Sequence, residues 1–303
     1  MRDIRSLITQ HNDLQNRNVE GHTIGAFPSS QLIEAVLVRG ADFDLNNPPR
    51  MFIMRPWLSP NKLADPTALP TDIGVSVAWS PNGEFLAVGH EGSPHIAIYQ
   101  RNGATFTKLA NPAALPVDQL YGVAWSPNGE FLAGADNVSP YIAIYQRNGT
   151  TFTKLANPAE LPAGVGEAVA WSPNGEFLAV AHQVSPFITI YQRSGTTFTK
   201  LANPANLPAG AGYGVAWSPN SEFLAVAHDL TPFITIYQRS DTTFTKLANP
   251  TTLPSYLAEA VAWSPNGEFL AVGFADTPYI IIYQSTGVIP DRGILVINSL
   301  GDS

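Results

Sequence analysis

Residues 75–108 read VSVAWSPNGEFLAVGHEGSPHIAIYQRNGATFTK, and this stretch returns nearly unchanged along the chain. The string AWSPN-x-EFLA occurs five times, with Trp79, Trp125, Trp171, Trp217 and Trp263 each 46 residues apart. A second string, I-x-I-Y-Q, places Tyr99, Tyr145, Tyr191, Tyr237 and Tyr283 at the same period. TFTKLANP follows in the first four copies, at Phe106, Phe152, Phe198 and Phe244. No copy gains or loses a residue within these strings. A strict period of this length means that every unit packs against its neighbour in the same way.

Each unit reads as four short strands. In the first copy these are residues 75–79, 84–90, 95–100 and 104–110, separated by SPNG, EGSP and RNG. Pro and Gly fall in the turns, and β-branched and aromatic residues fall in the runs. VAW and FLAV are apolar on both faces, as strands buried on both sides must be. TFTK alternates, with Phe106 inward, as a half-exposed outer strand does. Four antiparallel strands in each period of about 40–50 residues predict an all-β propeller of four-stranded blades. The repeated Trp and Tyr residues are its expected core, largely buried between blades.

Residues 51–70 fit the same offset, because Lys62 maps to Lys108 and 66–70 (PTALP) to 112–116 (PAALP). HTIGAF (22–27) and EAVLVRG (34–40) supply candidates for the first two strands of that earlier unit, and GILVINS (293–299) for the last outer strand. Six units of 46 residues nearly exhaust the 303-residue chain. The expected organisation is an arm over 1–21, a six-bladed propeller over 22–299 and a tail over 300–303. The alternative is five blades, with residues 57–64 donating the fifth blade's outer strand and an attachment region before it. Ile4, Leu7, Ile8 and Leu14 line one face of a short helix expected in the arm.

Composition bounds the chemistry. The chain has no cysteine, which excludes disulfides, thiolate nucleophiles and cysteine zinc sites. Its net charge of −8 argues against a nucleic-acid binder. No apolar run approaches the length of a membrane span, and the first residues lack the apolar core of a secretory signal. The motifs G-x-S-x-G, H-E-x-x-H and the P-loop are all missing, so no enzyme is expected and no cofactor. The glutamates after each SPNG turn, Glu84 through Glu268, read as solvated turn positions.

His90, Asp136, His182 and His228 occupy one position, just after the second strand. A ring of such residues on one disc face is a candidate ligand site. It is a poor metal site, because equivalent residues on neighbouring sheets stand about 10 Å apart and zinc needs nitrogens at about 2 Å. The links between units (VDQLYG, AGVGEA, AGAGYG, SYLAEA) carry most of the variation, and they share a face with the loops between strands two and three. Tyr121, Tyr213 and Tyr256 project from that region. Small residues and tyrosines in loops on a rigid scaffold suit recognition. Lys108, Lys154, Lys200 and Lys246, with Arg101, Arg147, Arg193 and Arg239, form a basic band around the rim, a common protection of edge strands.

V-A-W-S-P-N-G-E-F-L-A-V resembles the first hairpin of a WD40 repeat, and I-A-I-Y-Q stands where that family ends a strand in Trp-Asp. The resemblance covers roughly residues 71–284 and implies the propeller architecture. The pattern W-S-P-N-G-x-F-L-A-V … T-F-T-K-L-x-N-P also resembles repeat modules of tailed-bacteriophage virion proteins. That likeness implies a structural and host-recognition protein of a tail or capsid, located in the virion. Its partners would be other virion proteins, held through the arm and tail, and a host surface glycan or protein. The period is similar as well to that of lectin propellers with one weak site per blade, whose avidity comes from multivalency. A third alternative is an intracellular, cytoplasmic WD40-like scaffold.

Residues 1–20 have no equivalent elsewhere in the repeat, so they can specify a unique partner where the blades offer only near-equivalent surfaces. A helix this short is marginal alone in water. Deleting residues 1–20 is expected to leave a folded propeller that no longer joins its assembly, checked by thermal unfolding and co-purification. Unfolding of the truncated chain, or unimpaired assembly, refutes this role.

Overall fold

The computed structural model describes residues 62–285. These form five antiparallel sheets and, among the described residues, no helix. The first sheet is β1 (Gly74–Trp79), β2 (Phe85–His90), β3 (Ile96–Asn102) and β4 (Thr105–Lys108). The second is β5 (Leu120–Trp125), β6 (Phe131–Asp136), β7 (Ile142–Asn148) and β8 (Thr151–Lys154). The third is β9 (Gly166–Trp171), β10 (Phe177–His182), β11 (Ile188–Ser194) and β12 (Thr197–Lys200). The fourth is β13 (Gly212–Trp217), β14 (Phe223–His228), β15 (Ile234–Ser240) and β16 (Thr243–Lys246). The fifth has three strands, β17 (Ala258–Trp263), β18 (Phe269–Phe274) and β19 (Ile280–Gln284). Strands pair in chain order within each sheet. The first strands pack on one another in succession, β1 on β5, β5 on β9, β9 on β13 and β13 on β17. This is the propeller-like arrangement that the repeat implies.

Each β1–β2-type turn is set by its own side chains. Ser80 Oγ donates to Asn82 Oδ1 at 2.7 Å, and Asn82 Nδ2 donates to Glu84 Oε2 at 2.8 Å. The backbone N–H groups of Glu84 and Phe85 donate to Asn82 Oδ1 and Ser80 Oγ. The other four SPN-x-E copies repeat the Ser–Asn and Asn–Glu bonds. The glutamates therefore brace their turns as well as facing solvent.

One aromatic junction joins the sheets. Trp125 Nε1 donates to the Ala78 carbonyl of the preceding sheet at 3.1 Å, and Trp171, Trp217 and Trp263 do the same to Ala124, Ala170 and Ala216. The Trp125 ring lies 6.0 Å from Phe85 of the preceding sheet and 5.7 Å from Phe152 of its own. Arg147 covers Phe85 at 4.9 Å, and Arg193 and Arg239 cover Phe131 and Phe177. Such cation–π contacts add roughly 0.5–2 kcal/mol each. Arg101, Arg147, Arg193 and Arg239 each also donate from Nε to the turn carbonyl of their own sheet, as Arg147 does to Gly129 at 2.8 Å. Of the arginines read as rim charges in the sequence, Arg147, Arg193 and Arg239 are thus clamps between sheets, and Arg101 bonds within its own sheet. The lysines bond locally: Lys108 to Asn111, Lys154 to the Leu115 carbonyl and Lys200 to Glu160.

The core expectation holds for the interior copies and fails at the first. Trp125, Trp171 and Trp217 are 7–8% exposed, whereas Trp79 is 49% exposed. No sheet among the described residues precedes β1, so the Trp79 face is open. The outer face of the fifth sheet is open as well, with Ile282 62% exposed, and Trp263 and Tyr283 are only partly buried. Tyr99, Tyr145, Tyr191 and Tyr237 are buried. The six-blade count, the earlier unit, the arm, the tail and GILVINS rest on segments outside the described residues, which hold five blades. Trp171→Ala is expected to cost about 3–5 kcal/mol and Trp79→Ala less than half of that, measured by denaturant unfolding. Equal costs would show that the Trp79 face is covered in the full chain.

Candidate functional site

The first strand of every sheet carries a β-bulge at its start, seen as a register shift between residues 74 and 76, 120 and 122, 212 and 214, and 258 and 260, and in β9 opposite Ala181 and His182. A bulge adds one unpaired residue and redirects its side chain. The bulged residues are Val75, Tyr121, Glu167, Tyr213 and Glu259. The next position is small in every copy: Ser76, Gly122, Ala168, Gly214 and Ala260. A Cβ on Gly122 would lie 3.1 Å from Ala168 Cα, and one on Gly214 would lie 2.9 Å from the Glu259 carbonyl. Neighbouring inner strands touch there, which brings the bulged residues to one inner rim on the link face.

The rim is electrostatically coupled. Gln183 Nε2 donates to Glu167 Oε1, and burial raises the Glu167 carboxyl above the usual carboxylate range. Burial also raises the Tyr213 phenol, with further contributions from the charges of Asp229, Glu167 and Glu259. Asn137 Nδ2 donates to Asp118 Oδ2 at 3.2 Å. Tyr121 and Tyr213 are half-buried here and Tyr256 stands 51% exposed on its link. The expected tyrosines are therefore at an accessible surface. Glu167, Glu259 and Gln183 escaped the sequence reading; their signal was the exchange of Tyr for Glu at one repeat position.

His90, Asp136, His182 and His228 have no exposed surface, which removes them from a recognition face. The link folds over them. Asp136 accepts backbone N–H bonds from Val117, Asp118 and Val138 at 2.9, 3.2 and 3.1 Å, so it pins the link to the sheet. His182 Nε2 lies 2.9 Å from Thr189 Oγ1, and His228 Nε2 3.0 Å from Thr235 Oγ1. Burial lowers both imidazoles to about 4. Where the fifth sheet has Phe274 at this position, Ile281 replaces the threonine. Among the described residues, no three His, Asp or Glu side chains gather where they could hold a metal ion. A groove of about 230 Å³ between residues 156–160 and β12 is lined by Pro158, Glu160, Phe198 and Lys200, and a second, of about 500 Å³, is the open face at Trp263, Phe269 and Ile282.

The family model of eukaryotic translation initiation factor eIF2A matches residues 69–207, which run from the first link to the end of the third blade. No curated protein matches the chain. Many solved structures share the fold, three of them as follows. A proposed 6-phosphogluconolactonase from Bacteroides uniformis is 16% identical, with a TM-score of 0.56 over 69% of this chain and 65% of its own. The hydrazine synthase of Kuenenia stuttgartiensis is also 16% identical, with a TM-score of 0.54 over 68% and 57%. A functionally unknown protein from Desulfotomaculum acetoxidans is 13% identical, with a TM-score of 0.58 over 72% and 67%. The chain thus spans about two thirds or less of each. At these identities the likeness is one of fold.

The buried histidines give a pH prediction. Above their ordinary value of 6.5, folded and unfolded chains both hold neutral imidazoles. As pH falls below 6.5 the unfolded chain takes up protons that His182 and His228 refuse until about 4. Stability therefore drops through this window, by roughly 2–3 kcal/mol per histidine. Replacing both pairs by the fifth sheet's own solution (His182→Phe with Thr189→Ile, His228→Phe with Thr235→Ile) is expected to keep the fold and flatten the profile. Urea midpoints at successive pH values check this, and an unchanged slope contradicts it.

Proposed function

We propose that the chain is a non-catalytic binding scaffold whose inner rim on the link face receives basic groups of a protein partner. The observation that carries this reading is the bulge position itself. Most strand positions repeat from copy to copy, yet here the copies exchange Val75, Tyr121, Glu167, Tyr213 and Glu259. Asp72, Glu91, Asp118, Asp229 and Asp276 stand on the surrounding links and loops of the same face. The repeat lysines and arginines lie instead on the outer strands and at the opposite turns. An acidic surface with tyrosines suits lysine- or arginine-bearing segments and speeds their approach. Among the strongly shifted groups, His182, His228, Tyr191, Tyr237 and Tyr283 are committed to bonds within the scaffold, and the Tyr145 hydroxyl is buried in it. Tyr191 and Tyr237, for example, donate to the link carbonyls of Glu160 and Asn206. This supports a binding role over a catalytic one.

A finer reading makes the scaffold a component of a tailed-phage particle that displays this face. It rests on the repeat style alone and is tested by locating the protein in purified particles. Glycan arrays test the alternative, in which the same Tyr, Glu and Gln side chains take sugar hydroxyls.

For the basic-partner reading, an oligo-arginine peptide serves as probe with the full-length protein. Glu167→Gln with Glu259→Gln is expected to weaken its binding about tenfold and to reduce its salt dependence. Unchanged affinity in the double variant overturns the assignment of the rim.

A further inference from the structure

Six Asn–Gly pairs occur in the chain, at Asn82, Asn102, Asn128, Asn148, Asn174 and Asn266. The fold sorts them into two classes. Asn82, Asn128, Asn174 and Asn266 belong to the SPNG turns. Each accepts at Oδ1 from the Ser hydroxyl and donates from Nδ2 to the Glu carboxylate. The following glycine N–H is engaged too, donating to the Ser carbonyl at 2.8 Å in all four. Asn102 and Asn148 instead end β3 and β7, at two-residue hairpin turns. Both are exposed, as are Gly103 and Gly149. Among the described residues no side-chain hydrogen bond holds either asparagine, and neither glycine N–H has a backbone partner. A Cβ on either glycine would meet nothing within 4 Å.

Deamidation of Asn–Gly needs freedom in just these groups. The glycine nitrogen loses its proton to solvent and attacks Cγ of the asparagine. The new C–N bond closes a five-membered succinimide, the Cγ–Nδ2 bond breaks and ammonia leaves. Water then opens the ring at either carbonyl, giving aspartate or isoaspartate. The step needs no oxidant or cofactor. It does need the side-chain amide to rotate onto the glycine nitrogen and that nitrogen to be unbonded.

We propose that Asn102 and Asn148 are spontaneous modification sites of this protein and that the four SPNG asparagines are protected by their turns. Each conversion adds a negative charge at the tip of the β3–β4 or β7–β8 hairpin. Isoaspartate also inserts a carbon into the backbone at the pair that closes the hairpin, Asn102 with Thr105 or Asn148 with Thr151. The outer strands of the first two blades are therefore the ones that change with age. The third and fourth blades carry Ser194 and Ser240 at this position and are exempt.

The test is peptide mapping by mass spectrometry of full-length protein held at mildly alkaline pH, beside a sample unfolded in urea. In the folded protein, amide-to-acid conversion is expected at Asn102 and Asn148 at least about tenfold faster than at Asn82, Asn128, Asn174 and Asn266, since charge-assisted bonds to the side chain raise the barrier. In urea the six rates should converge, because all six share the Asn–Gly chemistry. Asn102→Ser with Asn148→Ser, which copies the third blade, should abolish the fast conversion and leave the fold unchanged. Equal rates at all six sites in the folded protein, or intact Asn102 and Asn148 after the unfolded sample has converted, overturn the proposal.

Discussion

The grip of each sheet on one phenylalanine of the sheet before it is the constraint on which the structure rests. Phe85 is held by three groups of the following sheet, the Trp125 ring, the Phe152 edge and the Arg147 guanidinium. Trp125 is fixed twice, by ring packing and by the bond from Nε1 to Ala78. Aromatic pairs of this geometry add roughly 0.5–1.5 kcal/mol beyond the area they bury. The gripping residues come from strands one, three and four of one unit, and the gripped residue from strand two of another. An insertion within these strands would misplace at least one of them. The unbroken 46-residue period follows from this.

The same reasoning explains which residues vary. The pair at positions 182 and 189 is His–Thr, the pair at 228 and 235 is His–Thr, and the pair at 274 and 281 is Phe–Ile. Both members of each pair lie in one sheet, so a unit can change them together without reference to its neighbours. Asp136 sits opposite no threonine and takes its bonds from the link backbone instead. In the first sheet Ala97 stands where the third and fourth have threonine, and both His90 ring nitrogens are buried without a partner among the described residues. Junction residues lack this freedom, because each partner belongs to the next copy. Trp and the strand-two Phe are accordingly the same in all five copies, and Arg and the strand-four Phe in the first four, while the interior position takes four arrangements.

Strand order, turns and core aromatics were legible in the sequence because they follow from period and alternation. The candidate site was legible only in part. Tyr121 and Tyr213 stood out as large residues among small ones. Glu167 and Glu259 escaped notice, because alternation counts one residue per step and a bulge adds one that the count does not anticipate. His90, His182 and His228 pointed to a surface because they adjoin the EGSP-type loops, yet the incoming link covers them. That cover is a contact between segments well separated in the chain, as when Asp136 bonds to Val117, and spacing within a repeat does not reveal it. Arg147, Arg193 and Arg239 read as rim charges for the same reason, since the ring each covers belongs to another unit.

The inner rim is also where this fold leaves room for difference. On each first strand the residue after the bulge must be small, because the neighbouring backbone lies within about a van der Waals contact of it. The alanine beyond it carries the carbonyl that accepts the next tryptophan, at Ala78, Ala124, Ala170 and Ala216, and the tryptophan follows directly. Only the bulged residue is free of the junction, and its side chain is turned away from the sheet pairing. A propeller of near-identical blades therefore has one position per blade on this rim where a side chain can change without disturbing the packing. The chain uses that position for Val, Tyr, Glu, Tyr and Glu. A symmetric scaffold can distinguish one partner from another only through residues that break its symmetry, and the packing confines such residues to places like this rim and the links beside it.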